Sequence, residues 1–458
     1  MIRILSTAVI TLILSACSTL EPQPVVVDLS AQHEVVEDLP PDYEIEDVRR
    51  LPQDFVRYTA LTTSSPLDTV CRDFLFSEFK SKYFAPWRES TPLSDIPGAV
   101  LAMQEHARKD WYGDNKRKVP RKTRDELLAN CDLEGFPSRN SMAVAVVPTS
   151  MRVLPTERPF LVTPDDFPFD VLQNAGLKIN EPLRVLHLSA DGIWAFAETV
   201  DANGWVPLRD IGFIQESLAA EWSRKEQVVI VKDLALIRDR KEQLAMRAKV
   251  GTIVPLSGEN GEAYEVSVAV RSADSGVREV TVRVPKDSAR RFPLTVDGET
   301  LALIGNQLIG KPYGWGELYQ GNDCSSLLRD FYLPFGIWLP RGSYNQINSG
   351  KYISFSGLSS ADKERLIREK GVPFLTLIHM KGHIMLYVGS EDGTALIFHS
   401  LWKVKVKGGE GRDVKQVVGK AIISTLTPGS ELRLANGSLL EKVSSMLILS
   451  DRCDLLRR

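Results

Sequence analysis

Cys324 stands between Asn322-Asp323 and Ser325-Ser326, where Leu327, Leu328 and Phe331 begin a helical repeat. A cysteine buried only for packing does not need that polar collar. A nucleophile does, because it requires a tuned pKa, a base and an oxyanion site. The spacing predicts a helix opening at Cys324, with Asn322 or Asp323 as its cap. A helix N-terminus favours thiolate over thiol, and its free N–H groups can hold a developing oxyanion. Asp323 alone opposes a thiolate, so its carboxylate is expected to turn aside and bind a cation.

The base is expected from a histidine on a downstream strand. In HIMLYVG, Ile384, Leu386 and Val388 alternate with His383, Met385 and Tyr387, so His383 opens a strand just after Gly382. His399 ends the next strand, 16 residues on, and the EDG between the two strands predicts a hairpin. Two antiparallel strands can set these imidazoles side by side, giving Cys324, His383 and His399, with the second histidine orienting the first. His379 is the spare. His106, among Glu105, Arg108 and Lys109, reads as a solvated surface residue, and His187, alternating within LRVLHLS, as a sheet residue.

These residues need elements to carry them. The chain of 458 residues implies several domains, and a net charge of −3 gives no reason to expect nucleic acid as a partner. The N-terminus, MIRILSTAVITLILSACSTL, has Arg3, an apolar run too short to span a bilayer, and small residues before Cys17. It reads as a secretory signal over 1–16. Residues 17–49 read as an acidic, Pro-containing tether that cannot bury enough apolar surface to order itself. Residues 50–132 read as helical. Short strand-like pieces then fill 133–218 and again 219–292, the rhythm of two small β-barrels. Residues 293–458 read as α/β, with helices at Gly298 to about Ile309, at Cys324, and over ADKERLIREK. That last helix has Ser359 and Asp362 at capping-box spacing and Gly371 as its stop. Asn436-Gly437 signals a hairpin. Cys71, Cys131 and Cys453 lack metal-ligand spacing, so no zinc or other cofactor is expected. Export allows a Cys71–Cys131 disulfide, and buried free thiols are equally compatible.

The segments GKPYGWGELYQGNDCSSLLRDFYLPFGIWLPRGSYNQ, GHIMLYVGS and FHSLW resemble the NlpC/P60 cysteine peptidases of bacterial cell walls. Leu14-Ser15-Ala16-Cys17 resembles a bacterial lipobox. The motifs Pro-Tyr-x-Trp-Gly, Asp-Cys-Ser-Ser, Leu-Pro-Arg-x-Ser and Gly-His-Ile-Met-Leu-Tyr occur in order. The wider chain resembles the subgroup with an N-terminal helical clip and two bacterial SH3 (SH3b) domains. The resemblance implies a multidomain protein: an α-helical N-terminal region, two SH3-like β-barrels and a papain-like α/β (α+β) catalytic domain.

It further implies a Cys324–His383–His399 triad. The implied reaction is cleavage of the γ-D-glutamyl–diaminopimelate bond in peptidoglycan stem peptides with a free N-terminal L-alanine. Asp323, Ser325 and Ser343 would bind that amine, and Tyr313 would line the groove or the oxyanion site. The lipobox implies diacylation of Cys17 and a lipid anchor at the periplasmic face of the outer membrane. Two departures stand out. Ser326 replaces a Gly common in the family. In the first barrel, Phe196 stands where relatives carry a groove tyrosine, with Glu157 or Glu198 as other sources of acidity there.

Overall fold

The computed structural model describes residues 43–60, 67–239, 245–407 and 413–456. The signal, Cys17 and most of the expected tether lie outside them. Among the described residues, no helix is long and apolar enough to cross a membrane.

Residues 43–49, expected to be part of the tether, instead pack against the C-terminal domain. Ile45 is buried against Leu401, Val404 and Ile422, and Asp47 accepts hydrogen bonds from Thr425 N and Oγ1. The segment has no core of its own. It borrows one from the long C-terminal strands, where Lys420 also pairs with Glu44.

Helices follow at Phe55–Thr59, Thr69–Tyr83, Ile96–Arg108 and Arg121–Asn130. Asp54, Asp68 and Asp95 cap the first three through their side chains. The Thr69–Tyr83 helix buries Cys71, Leu75, Phe79 and Tyr83, an i, i+4 stripe. Val70 and Phe74 lie outside that stripe and are exposed. Phe55 packs edge-on against Phe398 and also meets Phe331 and Phe374, so the N-terminal helices share a core with the C-terminal domain.

Two seven-stranded antiparallel sheets come next. The first runs, in spatial order, Gln173–Leu177, Thr149–Arg152, Asn203–Pro207, Trp194–Glu198, Pro182–Leu188, Ser141–Ala145 and Ile211–Phe213. The second is built from strands between Gln227 and Phe292. The helix between them spans Glu216–Arg224, and the residues just before it, Ile211–Phe213, form an edge strand of the first sheet. His187 is buried in the first sheet, where Ser138 Oγ meets its Nδ1 at 2.8 Å. His106 is not merely solvated: its Nδ1 lies 2.7 Å from Ala102 O and its ring stacks on Trp111.

The last domain holds a six-stranded sheet in the order Tyr352–Ser354, Ser445–Ile448, Thr376–Met380, His383–Glu391, Thr394–Lys407 and Asp413–Thr425. The helices Gly298–Leu308 and Cys324–Tyr332 pack beside it. Asn436-Gly437 makes no hairpin. Gly437, at φ +71°, instead leads into the Ser438 cap of a short helix, Leu439–Lys442.

Cys71 is bonded to Cys453, 382 residues away, while Cys131 is a free buried thiol among Leu154, Phe160 and Trp205 of the first barrel. The possible Cys71–Cys131 bridge is therefore not formed. Cys71 faces the C-terminal turn Leu449–Leu456, and Cys131 belongs to a different core.

Candidate active site

The Cys324–Tyr332 helix forms as its apolar spacing demands, burying Leu327, Leu328 and Phe331, with Asp323 as the cap that accepts from Ser326 N. Cys324 is buried at its first position, and the backbone N–H groups of Ile384 and Ser325 reach its sulfur. Burial, and then the Asp323 charge, push the thiol up to about 12.

His383 lies next to Ile384 in sequence and opens its strand. Its Nε2 is 2.8 Å from His399 Nδ1, and His399 Nε2 is 3.0 Å from Ser424 Oγ. The Ser424 hydroxyl donates to Thr425 O at 2.8 Å, so its oxygen is free to accept from His399 Nε2–H. His399 Nδ1 is then an acceptor, His383 Nε2 carries the proton, and His383 Nδ1 is left with a lone pair. The chain thus leaves His383 Nδ1 able to accept a proton, because Ser424 fixes the tautomer of His399. Burial pushes His383 down to about 4, and burial followed by the His383 charge holds His399 well below its ordinary value. Among the described residues the His383 ring hydrogen-bonds to His399 alone. Burial thus favours both the neutral thiol and the neutral imidazole, and among the described residues no hydrogen bond joins Cys324 to His383.

A pH profile follows. With its pKa depressed to about 4, His383 is the neutral base at every higher pH. The acid limb of kcat/KM is expected to rise through about pH 4 rather than 6.5. Ser424→Ala should lower kcat about tenfold or more with KM little changed, since the wrong tautomer then competes. Ser424→Thr should restore most of it. An acid limb at 6.5, or an unchanged kcat in Ser424→Ala, contradicts this assignment.

Asp323 finds its cation within the chain. Arg341 Nη2 donates to Oδ2 at 2.9 Å and Nη1 to Oδ1 at 3.3 Å. Ser325 Oγ and Ser326 N complete Oδ1, and Gly316 N completes Oδ2. Burial would raise this carboxyl, but Arg341 overrides it and holds the group well below the usual carboxylate range. The carboxylate expected to await a substrate ammonium therefore already receives five hydrogen bonds. Arg341 Nη1 also reaches Ser325 Oγ at 3.2 Å. Ser343 opens the short Ser343–Ile347 helix, half-buried, and its hydroxyl takes no part in the Asp323 cluster. Ser326 is accommodated: its Oγ donates to Asp323 O and accepts from Asn322 Nδ2.

The first barrel closes part of this site, with residues other than those expected. Phe196 is in that barrel's core against Phe136 and Trp205. Glu157 pairs at the surface with Arg209, and buried Glu198 accepts from Leu93 N and Ser94 N. All three are therefore out of the groove, since strand alternation turns Phe196 inward and Glu198 is engaged with the N-terminal helical region. The barrel instead contributes Asp201, which accepts from Arg341 N, and Asn174, whose carbonyl accepts from Arg341 Nη2. Phe169 packs against Tyr313, Trp315 and Trp402. Tyr313 is half-buried in that aromatic group. Its phenol is raised by burial, then by the nearby Cys324 and Asp323.

Both barrels also hold the loop before the nucleophile. Gln173 Nε2 donates to Gly316 O, and Gly176 N to Glu317 Oε2. Buried Glu317, left-handed at φ +67°, faces Lys249 at 3.4 Å and Lys178 at 3.9 Å, and the same two lysines pair with Asp330 on the nucleophile helix. Among the described residues, no cluster suits a metal ion.

Arg341, Asp201, Asn174 and Ser424 were not singled out by sequence. Arg341 alone had a signal, its place in Leu-Pro-Arg-x-Ser.

Comparison with known proteins gives three family matches. Residues 6–136 match the N-terminal NlpC/P60 stabilising domain, residues 159–207 an SH3 domain of SH3b1 type, and residues 310–419 the NlpC/P60 family. Among solved structures, one described as a novel NlpC/P60 endopeptidase from Photobacterium damselae subsp. piscicida aligns at TM-score 0.79 and 22% identity. The alignment covers 87% of this chain and 97% of that one. An NlpC/P60 family protein from Bacillus cereus ATCC 10987 aligns at TM-score 0.46 and 17% identity, over 68% of this chain and all (100%) of that one. No curated protein matches the sequence.

Proposed function

The chain belongs to the NlpC/P60 family, with its catalytic domain behind a stabilising domain and SH3b structure, and from that premise we propose that it hydrolyses the γ-D-glutamyl–diaminopimelate bond of peptidoglycan stem peptides. The observation that carries this reading is a buried thiol at a helix N-terminus beside a strand whose histidine is fixed as a base by His399 and Ser424. His383 Nδ1 takes the thiol proton as sulfur attacks the γ-glutamyl carbonyl. The same nitrogen returns the proton to the leaving amine. Water, activated by His383, then releases L-alanyl-D-glutamate from the thioester. N–H groups at the start of the nucleophile helix and the Tyr313 phenol are the candidates to hold the oxyanion.

The free amine of the substrate is read by the Asp323, Ser325 and Ser343 region. An ammonium must replace one of the five donors on Asp323, and Ser325 Oγ is the one that can rotate away. The same saturation favours a second reading, in which the enzyme accepts N-acylated stem peptides, as an endopeptidase on intact wall or as an N-acetylmuramoyl-L-alanine amidase. Incubation with L-Ala-γ-D-Glu-diaminopimelate and with its N-acetylated form separates them. Cleavage of the free amine at least tenfold faster supports the first. Equal rates, or loss of the N-acyl-muramyl group from a muropeptide, refutes it. No cleavage of any of these leaves a wall-binding protein with an idle domain.

The lipid anchor at Cys17 and an outer-membrane position facing the periplasm are part of the same proposal. Cells given labelled palmitate should label the wild-type protein and not Cys17→Ala; a labelled variant would refute the anchor.

A further inference from the structure

With no hydrogen bond between Cys324 and His383 among the described residues, their separation depends on how the nucleophile segment is fastened to the histidine strands. The strand Thr394–Lys407 presents two faces there. His399 turns to one, toward His383, while Phe398 and Ser400 turn to the other, where Phe331 of the nucleophile helix meets Phe398. On that second face buried Ser400 Oγ donates to Asn322 O at 2.7 Å. Asn322 stands two residues before Cys324, and Ser400 stands next to His399. One hydrogen bond therefore fastens the nucleophile's own backbone to the strand of the orienting histidine.

The Asn322 side chain, fully buried, is held from another side. Its Nδ2 donates to Asp330 Oδ2 at 2.8 Å and to Ser326 Oγ at 3.3 Å. Asp330 pairs in turn with Lys178 of the first barrel at 2.6 Å and with Lys249 of the second at 2.8 Å. Burial would raise the Asp330 carboxyl, but the two lysines override it and keep it ionised as an acceptor. Asn322 Oδ1 has no hydrogen-bond partner among the described residues. A buried amide left half unpaired costs stability that an apolar side chain of similar shape would not. Packing therefore does not explain an asparagine here; its donor side does. We propose that Asn322, clamped between Ser400 and Asp330, is a positioning residue that sets the distance from the Cys324 sulfur to the His383 imidazole. The inference rests on the peptidase reading above and deepens it. Asn322 acts on the reaction through Cys324, and a displacement of about 1 Å at such a pair can cost about 100-fold in rate.

The test removes the two fastenings one at a time. On the free stem peptide, Ser400→Ala and Asn322→Leu should each lower kcat about tenfold to 100-fold with KM little changed, and Ser400→Thr should recover most of the loss. A second readout needs no peptide: the rate at which iodoacetamide alkylates Cys324 at neutral pH, followed by mass spectrometry. Wild type should react faster than His383→Ala, because the imidazole assists ionisation of the thiol, and both positioning variants should fall to the His383→Ala rate. Should Asn322→Leu fail to fold, Ser400→Ala, which removes one oxygen, carries the test. An unchanged kcat in folded Ser400→Ala, or a loss confined to KM, overturns the proposal. Should the wild type cleave none of the peptides, the peptidase reading fails and alkylation decides the positioning role separately. Variant rates that fall to that of His383→Ala support it. Variant rates that stay with wild type, or a wild type no faster than His383→Ala, overturn it.

Discussion

Cys324→Ala is expected to reduce kcat on the free stem peptide by about 10⁴- to 10⁶-fold, to the rate left by binding alone. In the proposed mechanism every step passes through this sulfur, which the backbone N–H groups of Ile384 and Ser325 reach and which no other thiol among the described residues can replace. Cys71 and Cys453 are bonded to each other, and Cys131 belongs to the first barrel's core. The substitution removes one buried atom from a helix start whose cap, Asp323 to Ser326 N, does not involve the thiol. The thermal midpoint should therefore move little, and lost activity would not reflect lost fold. Cys131→Ala is the matched control and should keep its turnover. Residual activity within a hundredfold of wild type in a folded Cys324→Ala protein would sink the nucleophile assignment.

Arg341→Ala carries the largest expected effect on stability. The Arg341 and Asp323 side chains are only 12% and 7% exposed, and both guanidinium nitrogens of the pair reach the carboxylate. Removing the arginine strands a buried charge, which costs about 3–5 kcal/mol when one partner of such a pair is deleted. Asp323 also caps the nucleophile helix and accepts from Gly316 N, so the damage should spread to the loop that both barrels hold. Arg341→Lys should recover only part of the loss, because an ammonium cannot reproduce the two-nitrogen fork. Chemical denaturation of the three proteins measures this. A loss below about 1 kcal/mol in Arg341→Ala would mean that the pair is not the cation site of Asp323.

The local parts of this site were legible in sequence because they rest on short-range rules. The helix at Cys324 follows from a capping residue and an apolar repeat, and the place of His383 follows from strand alternation. His399 required only that two neighbouring strands pair, and its ring does meet His383. What stayed hidden depends on tertiary contacts. The demand that Asp323 bind a cation was readable, but the supplier was not, since Arg341 arrives 18 residues later after a helix and a turn. Asp201 and Asn174 come from another domain. Ser424 reaches His399 only through the pairing of the two longest strands, in which His399 lies opposite Ile422. Phe196 misled because a family position was carried over without its facing: here the side chain points into the barrel. The Cys71–Cys453 bond joins the two ends of the described chain, a pairing that spacing alone does not rank.

The central claim is that Cys324 forms a thioester with the γ-carbonyl of the glutamyl residue, and turnover in the presence of hydroxylamine tests it most directly. Hydroxylamine intercepts a thioester in competition with water. The account predicts that mass spectrometry will find L-alanyl-D-glutamate γ-hydroxamate beside the free acid, rising with hydroxylamine concentration, together with free diaminopimelate, and none of these with Cys324→Ala. Turnover that yields only the free acid at every hydroxylamine concentration, or a hydroxamate on any other carbonyl, would contradict it.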